Sequence, residues 1–296
     1  MASANLPAGP PELAEQLETQ GYFADVPLAT AIFLATRLRQ PLFLEGDAGV
    51  GKTEVARALA SSLGTKLIRL QCYEGIDASQ ALYEWNYARQ LLHIRAAEAG
   101  GRTTADVERT CYSRDYLIAR PLLEALEYEG ARPAVLLIDE VDRADDEFEA
   151  FLLEILSDFA ITIPELGRIE ARDRPIVVLT SNRTREVHDA LKRRCLYHWV
   201  EHPSFDREVA ILRAKVPGLD VRLAERVAAA LQRLRSVDLF KPPGIAEGLD
   251  WARALLALGA VEIDEASLDL TLGSILKYRE DQQRVRGEGL VKVIGA

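Results

Sequence analysis

The sequence predicts an α/β protein, a parallel sheet flanked by helices, followed by a smaller all-helical unit. Three observations carry that expectation. Short apolar runs bounded by turn residues alternate with helical patterns through the first two thirds of the chain, the signature of strand–helix–strand crossovers. A glycine-rich loop, Gly46-Asp47-Ala48-Gly49-Val50-Gly51-Lys52-Thr53, joins one such run to a helix. Beyond His202-Pro203 every periodic stretch is helical, with no strand pattern left to extend the sheet. The expected division is residues 1–202 for the α/β unit and 203–296 for the helical one.

Taken in order, Pro41 opens the run Leu42-Phe43-Leu44, read as the first strand. The helical pattern from Lys52 to Leu63 closes at Gly64, a residue suited to a left-handed cap. Leu67-Ile68-Arg69-Leu70 is a second strand. The aromatic-rich stretch from Ser79 to Glu98 reads as a helix, with a loop tip at Ala99-Gly100-Gly101. Another helix is expected from about Ser113 to Glu129. Ala134-Val135-Leu136-Leu137-Ile138 is apolar throughout, as a central parallel strand is. Phe148, Phe151, Leu152, Ile155, Leu156 and Phe159 recur at helical spacing. A hairpin around Pro164 to Gly167, within residues 160–175, precedes the buried strand Ile176-Val177-Val178-Leu179-Thr180. The helical unit shows patterns over Phe205 to Val216, Val221 to Val237, Ile245 to Leu258 and Ala266 to Tyr278.

Composition bounds the function. Lys and Arg total 36 against 46 Asp and Glu, a formal charge of −10, so the overall field repels polyphosphate backbones and nucleic acid is not an expected partner. Cys72, Cys111 and Cys195 are odd in number, far apart and without CxxC spacing, which indicates neither a disulfide framework nor a zinc site. The opening residues lack a basic segment followed by an apolar one, and no stretch approaches membrane-spanning length. The expectation is a cytoplasmic protein with no membrane span.

Gly46 to Thr53 fits G-x-x-x-x-G-K-[ST] and lies between a buried strand and a helix, the context that the pattern requires. Its backbone amides, Gly46, Asp47, Ala48, Gly49, Val50 and Gly51 included, turn toward phosphates, and the helix N-terminus adds its positive end. Lys52 reaches the outer phosphates, and the Thr53 hydroxyl is a ligand for Mg²⁺. Glu54 completes the candidate nucleotide-binding set. Asp139 and Glu140 end the central strand at the same sheet edge. Asp139 is the candidate to hold Mg²⁺ with Thr53, and Glu140 to orient and polarise the water that attacks the γ-phosphate. Asp142, Asp145, Asp146 and Glu147 continue the acidic run and read as a solvated face, with Asp145 suited to a helix cap. Asn182, one strand over, places an amide where it can hold the attacking water or contact the γ-phosphate.

Together these motifs resemble the AAA+ ATPases, P-loop NTPases with a helical lid, and more narrowly the MoxR family. The resemblance covers nearly the whole chain. It implies ATP and Mg²⁺ as cofactors, ATP hydrolysis to ADP and phosphate, a homo-oligomeric ring of six, and an arginine acting in the neighbouring subunit's site. Asp189-Ala190-Leu191-Lys192-Arg193-Arg194-Cys195 occupies the matching place, with Arg194 the first candidate and Arg193 the second. Such an arginine neutralises transition-state charge across an interface. Residues 79–101 resemble the helical insertion of the helix-2-insert branch, which would present Tyr83, Trp85 and Tyr87 to a client protein, although aromatic residues at such spacing also build cores.

Lys241-Pro242-Pro243-Gly244-Ile245-Ala246-Glu247 resembles the start of the family's second sensor helix, but Ile245 stands where an arginine is usual, and the nearest arginine is Arg253. Gly-Ile-Ala-Glu followed by Leu249-Asp250-Trp251-Ala252, Leu-Glu-Gly before the loop and Tyr-Glu-Gly-Ile-Asp after the second strand resemble the CoxD branch. That branch implies a metalloenzyme client, such as a molybdenum hydroxylase, and a von Willebrand A domain partner. The leading expectation is a chaperone-like remodeller. The alternatives are a helicase or clamp-loader motor on nucleic acid, and a scaffold that binds nucleotide with little turnover. A signalling GTPase would carry Asn-Lys-x-Asp, which is missing from the sequence.

Overall fold

The computed structural model describes residues 7–99 and 110–294; the expected loop tip at Gly100 and Gly101 lies outside them. Five parallel strands form the main sheet: β1 (Leu42–Glu45), β2 (Leu67–Gln71), β5 (Val135–Asp139), β8 (Ile176–Ser181) and β9 (Leu196–Trp199). Their spatial order is β2-β5-β8-β1-β9, and all four pairings are parallel. β1 and β5 are buried along their whole length, which is why they read as unbroken apolar runs. Alternate residues serve opposite layers. Val135 and Leu137 enter the core shared with α1 (Pro10–Thr19), α2 (Val26–Leu38) and α3 (Lys52–Leu63), while Leu136 and Ile138 enter the other core.

Two expected helices are not continuous. Within Ser79 to Glu98 the chain forms α4 (Ala78–Ala81), β3 (Tyr83–Trp85) and α5 (Tyr87–Ala99). Tyr83, Trp85 and Tyr87 are two residues apart, the strand period, and Tyr83-Glu84-Trp85 pairs antiparallel with β4 (Leu117–Ala119). Within Ser113 to Glu129 a 3₁₀ turn at Arg114–Tyr116 leads into β4, and α6 spans only Pro121–Leu126. Pro121 sits at the first helical position, where its missing N–H costs nothing; an interior proline would have broken a longer helix.

Asp145 caps α7 (Asp146–Asp158) by accepting from the Phe148 amide at 2.8 Å. The antiparallel pair β6 (Ala160–Ile163) and β7 (Gly167–Glu170) follows, and α8 (Asp189–Lys192) precedes β9. Beyond it lie α9 (Phe205–Lys215), α10 (Val221–Ser236), α11 (Ile245–Ala257), α12 (Glu265–Ile275), α13 (Arg279–Glu288) and α14 (Leu290–Ile294). The last two exceed the four helices expected. These helices bury their own core around Val227, Leu231, Trp251, Leu255, Leu268 and Leu272. Trp251 is fully buried, and its indole N–H donates to the Thr271 hydroxyl at 2.8 Å. Among the described residues no helix is long and apolar enough to cross a membrane.

Candidate functional site

The carboxyl ends of β1, β5 and β8 and the N-terminus of α3 meet at one cavity of about 520 Å³, the place where parallel sheets hold ligands. Tyr22, Phe23 and Leu28 close one side, and Ile211, Ile245 and Leu249 from the helical segment close another. The walls are mostly apolar, with a polar floor made by Lys52, Thr53, Asp139, Glu140, Thr180 and Asn182, the division usual in a small-ligand site.

The loop before α3 turns on residues that only glycine tolerates well: Gly49 has φ 81° and Gly51 φ 98°. The first N–H groups of α3 have no helical acceptor and so are available to an anion at the loop. Lys52 is buried and its Nζ donates to the carbonyls of Gly46 and Asp47, both at 2.7 Å. Burial pushes its pKa below the usual lysine value, opposed by the nearby charges of Asp142, Asp47, Asp139 and Glu140. The Asp47 side chain turns away to His202, 3.4 Å from Nε2. Glu54 binds Lys215 of α9 at 2.8 Å and so ties α3 to the helical segment at the cavity wall.

Asp139 is buried, and its Oδ1 accepts from the hydroxyls of Thr53 at 2.9 Å and Thr180 at 2.6 Å. Glu140 has a left-handed backbone, φ 55°, a conformation that costs on the order of 1 kcal/mol for a residue with a Cβ. The Thr180 hydroxyl accepts its N–H at 2.9 Å and helps to hold it there. The carboxylate then faces Asn182, whose Nδ2 donates to Oε1 at 3.2 Å, and Gln71, whose Nε2 donates to Oε2 at 3.1 Å. Arg143 pairs with the same Oε2 at 3.0 Å.

Several sequence expectations need correction. Asp142 is not on a solvated face: it is buried and accepts from the Asn182 N–H at 3.2 Å, the Thr184 N–H at 2.8 Å and the Thr184 hydroxyl at 2.6 Å. It anchors the segment after β8 to the turn after β5, and so positions Asn182. Of the three aromatic side chains offered to a client, Trp85 is buried and Tyr83 packs against the core, which leaves Tyr87 exposed. The cluster Lys192 to Arg194 also divides. Lys192 turns inward to Glu45 at 3.6 Å and lies over the Phe43 ring, while Arg193 and Arg194 are exposed and do not line the cavity.

Ile245 and Arg253 both line the cavity, with Arg253 pairing with Asp250 at 3.1 Å. The helical segment meets the loop through its backbone instead: the Ala246 N–H donates to the Gly49 carbonyl at 3.2 Å. Thr180, Arg69, Gln71 and the Tyr22–Phe23 wall belong to the site beyond the residues expected from the sequence. A threonine at the end of an apolar strand and an arginine within Leu67–Gln71 were visible signals; the wall came from distant chain segments and left none.

The profile of the AAA domain family, dynein-related subfamily, matches residues 41–195. Chaperone protein ClpB 2 of Parasynechococcus marenigrum is 34% identical over 148 residues, which are 48% of this chain and 13% of that protein. ClpB 2 of Thermosynechococcus vestitus is 29% identical over 143 residues, 46% of this chain and 13% of that protein. The match thus spans a small part of those relatives. The solved structure of the Thermotoga maritima RuvB Holliday junction branch migration motor aligns at 17% identity with a TM-score of 0.46, covering 90% of this chain and 71% of its own.

Proposed function

The chain belongs to the dynein-related subfamily of the AAA domain family, whose members generally hydrolyse ATP, and from that premise we propose that it is an ATP-driven remodeller of a protein client, working as a ring of six identical subunits. The observation that carries the proposal is the meeting of four groups over one cavity floor: Lys52, the Thr53–Asp139 pair, Glu140 and Asn182.

In this reading the amides of Gly46 to Gly51 and the start of α3 cradle the phosphates. Lys52 leaves the loop carbonyls to meet the outer phosphates. The donor set of the Thr53 hydroxyl and the Asp139 carboxylate fits Mg²⁺, a hard cation that keeps part of its water shell. When bound there, the ion supplies charge neutralisation at the β- and γ-phosphates. Glu140 orients and polarises the attacking water, and Asn182 holds the Glu140 carboxylate in line. Arg194, or Arg193 beside it, reaches a neighbouring subunit's site, consistent with their exposure outside this chain's own cavity.

The chaperone relatives favour remodelling, and a formal charge of −10 disfavours a motor on nucleic acid. The resemblance to the MoxR family and its CoxD branch points to a metalloenzyme client such as a molybdenum hydroxylase, a von Willebrand A domain partner, and a cytoplasmic setting. The test is phosphate release from Mg-ATP by the purified chain across a range of protein concentrations. The rate per subunit should rise as rings assemble. Turnover absent at every concentration, with no heat on titration with Mg-ATP, would overturn the proposal.

A further inference from the structure

The Asp139 carboxylate has no acceptor capacity left. Thr53 and Thr180 donate to Oδ1 at 2.9 and 2.6 Å, and Arg69 donates to Oδ2 through Nε at 3.1 Å and Nη2 at 2.5 Å. An ionised carboxylate offers about four lone-pair sites, and these four donors fill them. Anything further that Asp139 holds, a metal-bound water included, requires one of the four bonds to be released.

The surroundings single out which one. The Thr53 hydroxyl can keep donating to Oδ1 while its own lone pairs serve another partner. The Thr180 hydroxyl is held at both ends, because it also accepts the N–H of the strained Glu140 at 2.9 Å. Arg69 is different on each count. It lies on β2, an edge strand of the sheet, and its side chain is 48% exposed against 3% for Asp139. A guanidinium there can turn to water at small cost, and it already has a second acceptor in Gln71 Oε1 at 2.5 Å. Arg69 and Gln71 share a face with Asp139 because Gln71 stands opposite Asp139 in register and Arg69 lies two residues before it.

We infer that Arg69 is a positioning residue for the metal-side acid: it holds the Asp139 carboxylate as counter-ion and yields Oδ2 to the Mg²⁺ shell, and so sets how much Mg²⁺ the site requires. This rests on Asp139 being the acid that serves the metal, as proposed above. Since the guanidinium also donates to Gln71, and Gln71 to Glu140, its release reaches the hydrolytic acid as well.

The test follows binding, not turnover. A fluorescent N-methylanthraniloyl-ATP is titrated with MgCl₂ in the presence of wild-type chain, Arg69→Gln and Arg69→Lys. Removing the competing cation should lower the half-saturating Mg²⁺ concentration by about two- to fivefold in Arg69→Gln, the range set by a half-exposed ion pair. Arg69→Lys, which keeps the charge and loses the fork, should fall between the two, and binding in EDTA should stay within about twofold for all three. An unchanged or raised Mg²⁺ requirement in both variants, beside a wild type whose binding needs Mg²⁺, overturns this inference alone. Wild-type binding that is absent or indifferent to Mg²⁺ overturns the assignment of Asp139 and this inference with it.

Discussion

The side-chain amide of Asn182 donates to Oε1 of Glu140 at 3.2 Å, joining the segment after β8 to the acid after β5. The same oxygen is free to approach water from its other lone pair, so the amide fixes the direction in which Glu140 presents itself. Asn182→Ala should therefore lower kcat for ATP by about 10- to 100-fold, less than the roughly 10²- to 10⁴-fold worth of the acid–base group that it positions, and leave the ATP Kd within a few-fold. Steady-state kinetics beside calorimetry separates the two. A large rise in KM with kcat intact would assign Asn182 to binding instead.

Arg193 and Arg194 stand on the surface and do not line their own chain's cavity, which leaves both accessible to a neighbouring subunit. Arg194→Ala should bind ATP normally and lose turnover by about 10³-fold or more if this is the trans-acting residue. Mixing it with Lys52→Ala subunits, which lack a working site but carry the arginine, should restore part of the activity. No recovery for either arginine variant would indicate that the cluster acts within its own chain or not at all.

A Cβ on Gly244 would lie 2.8 Å from the Gly49 carbonyl carbon and oxygen and 2.9 Å from the Ala48 oxygen. All three are backbone atoms and cannot step aside cheaply. Gly244→Ala is expected to lift the start of α11 from the phosphate loop, with a stability loss of about 1–3 kcal/mol and ATP affinity weakened severalfold. Denaturant unfolding and calorimetry read the two effects. Unchanged affinity would mean that the backbone contact between Ala246 and Gly49 does not couple the helical segment to nucleotide.

Much of this site was legible because its chemistry is local. Gly46 to Thr53 is a contiguous loop, and β1, β5 and β8 are apolar on both faces, so a single-chain pattern reveals them. β9 was not legible: Leu196-Tyr197-His198-Trp199 is half polar and is a strand because it pairs with β1. Tyr83 to Tyr87 read as helical because aromatic side chains suit either element, and the pairing partner that decides for a strand lies 32 residues away, at Leu117 opposite Trp85. Asp142 read as surface because its burial depends on Thr184 closing over it, a contact 42 residues distant in sequence.

His198 and His202 line or flank the cavity, and burial lowers both pKa values, with Arg235 adding to the effect at His202. A base whose folded pKa lies below its unfolded value of about 6.5 binds more protons when unfolded. Stability must then rise with pH through that window and fall as pH drops from about 6.5 toward the folded values. The denaturation midpoint should be flat from pH 8 to about 7 and decline below it. His198→Asn combined with His202→Asn should flatten the decline; an equally steep decline in that variant would assign it to other groups.

The most direct measurement compares wild type with Glu140→Gln for Mg-ATP binding by calorimetry and phosphate release in the same preparation. The amide keeps the size and one acceptor oxygen, so one of the bonds from Asn182 and Gln71 persists while the other partner's amide must turn to accept, and it cannot polarise water. Binding within about threefold of wild type, with turnover reduced at least about 100-fold, is the expected result. Full turnover by Glu140→Gln, or no binding by either protein, would contradict it.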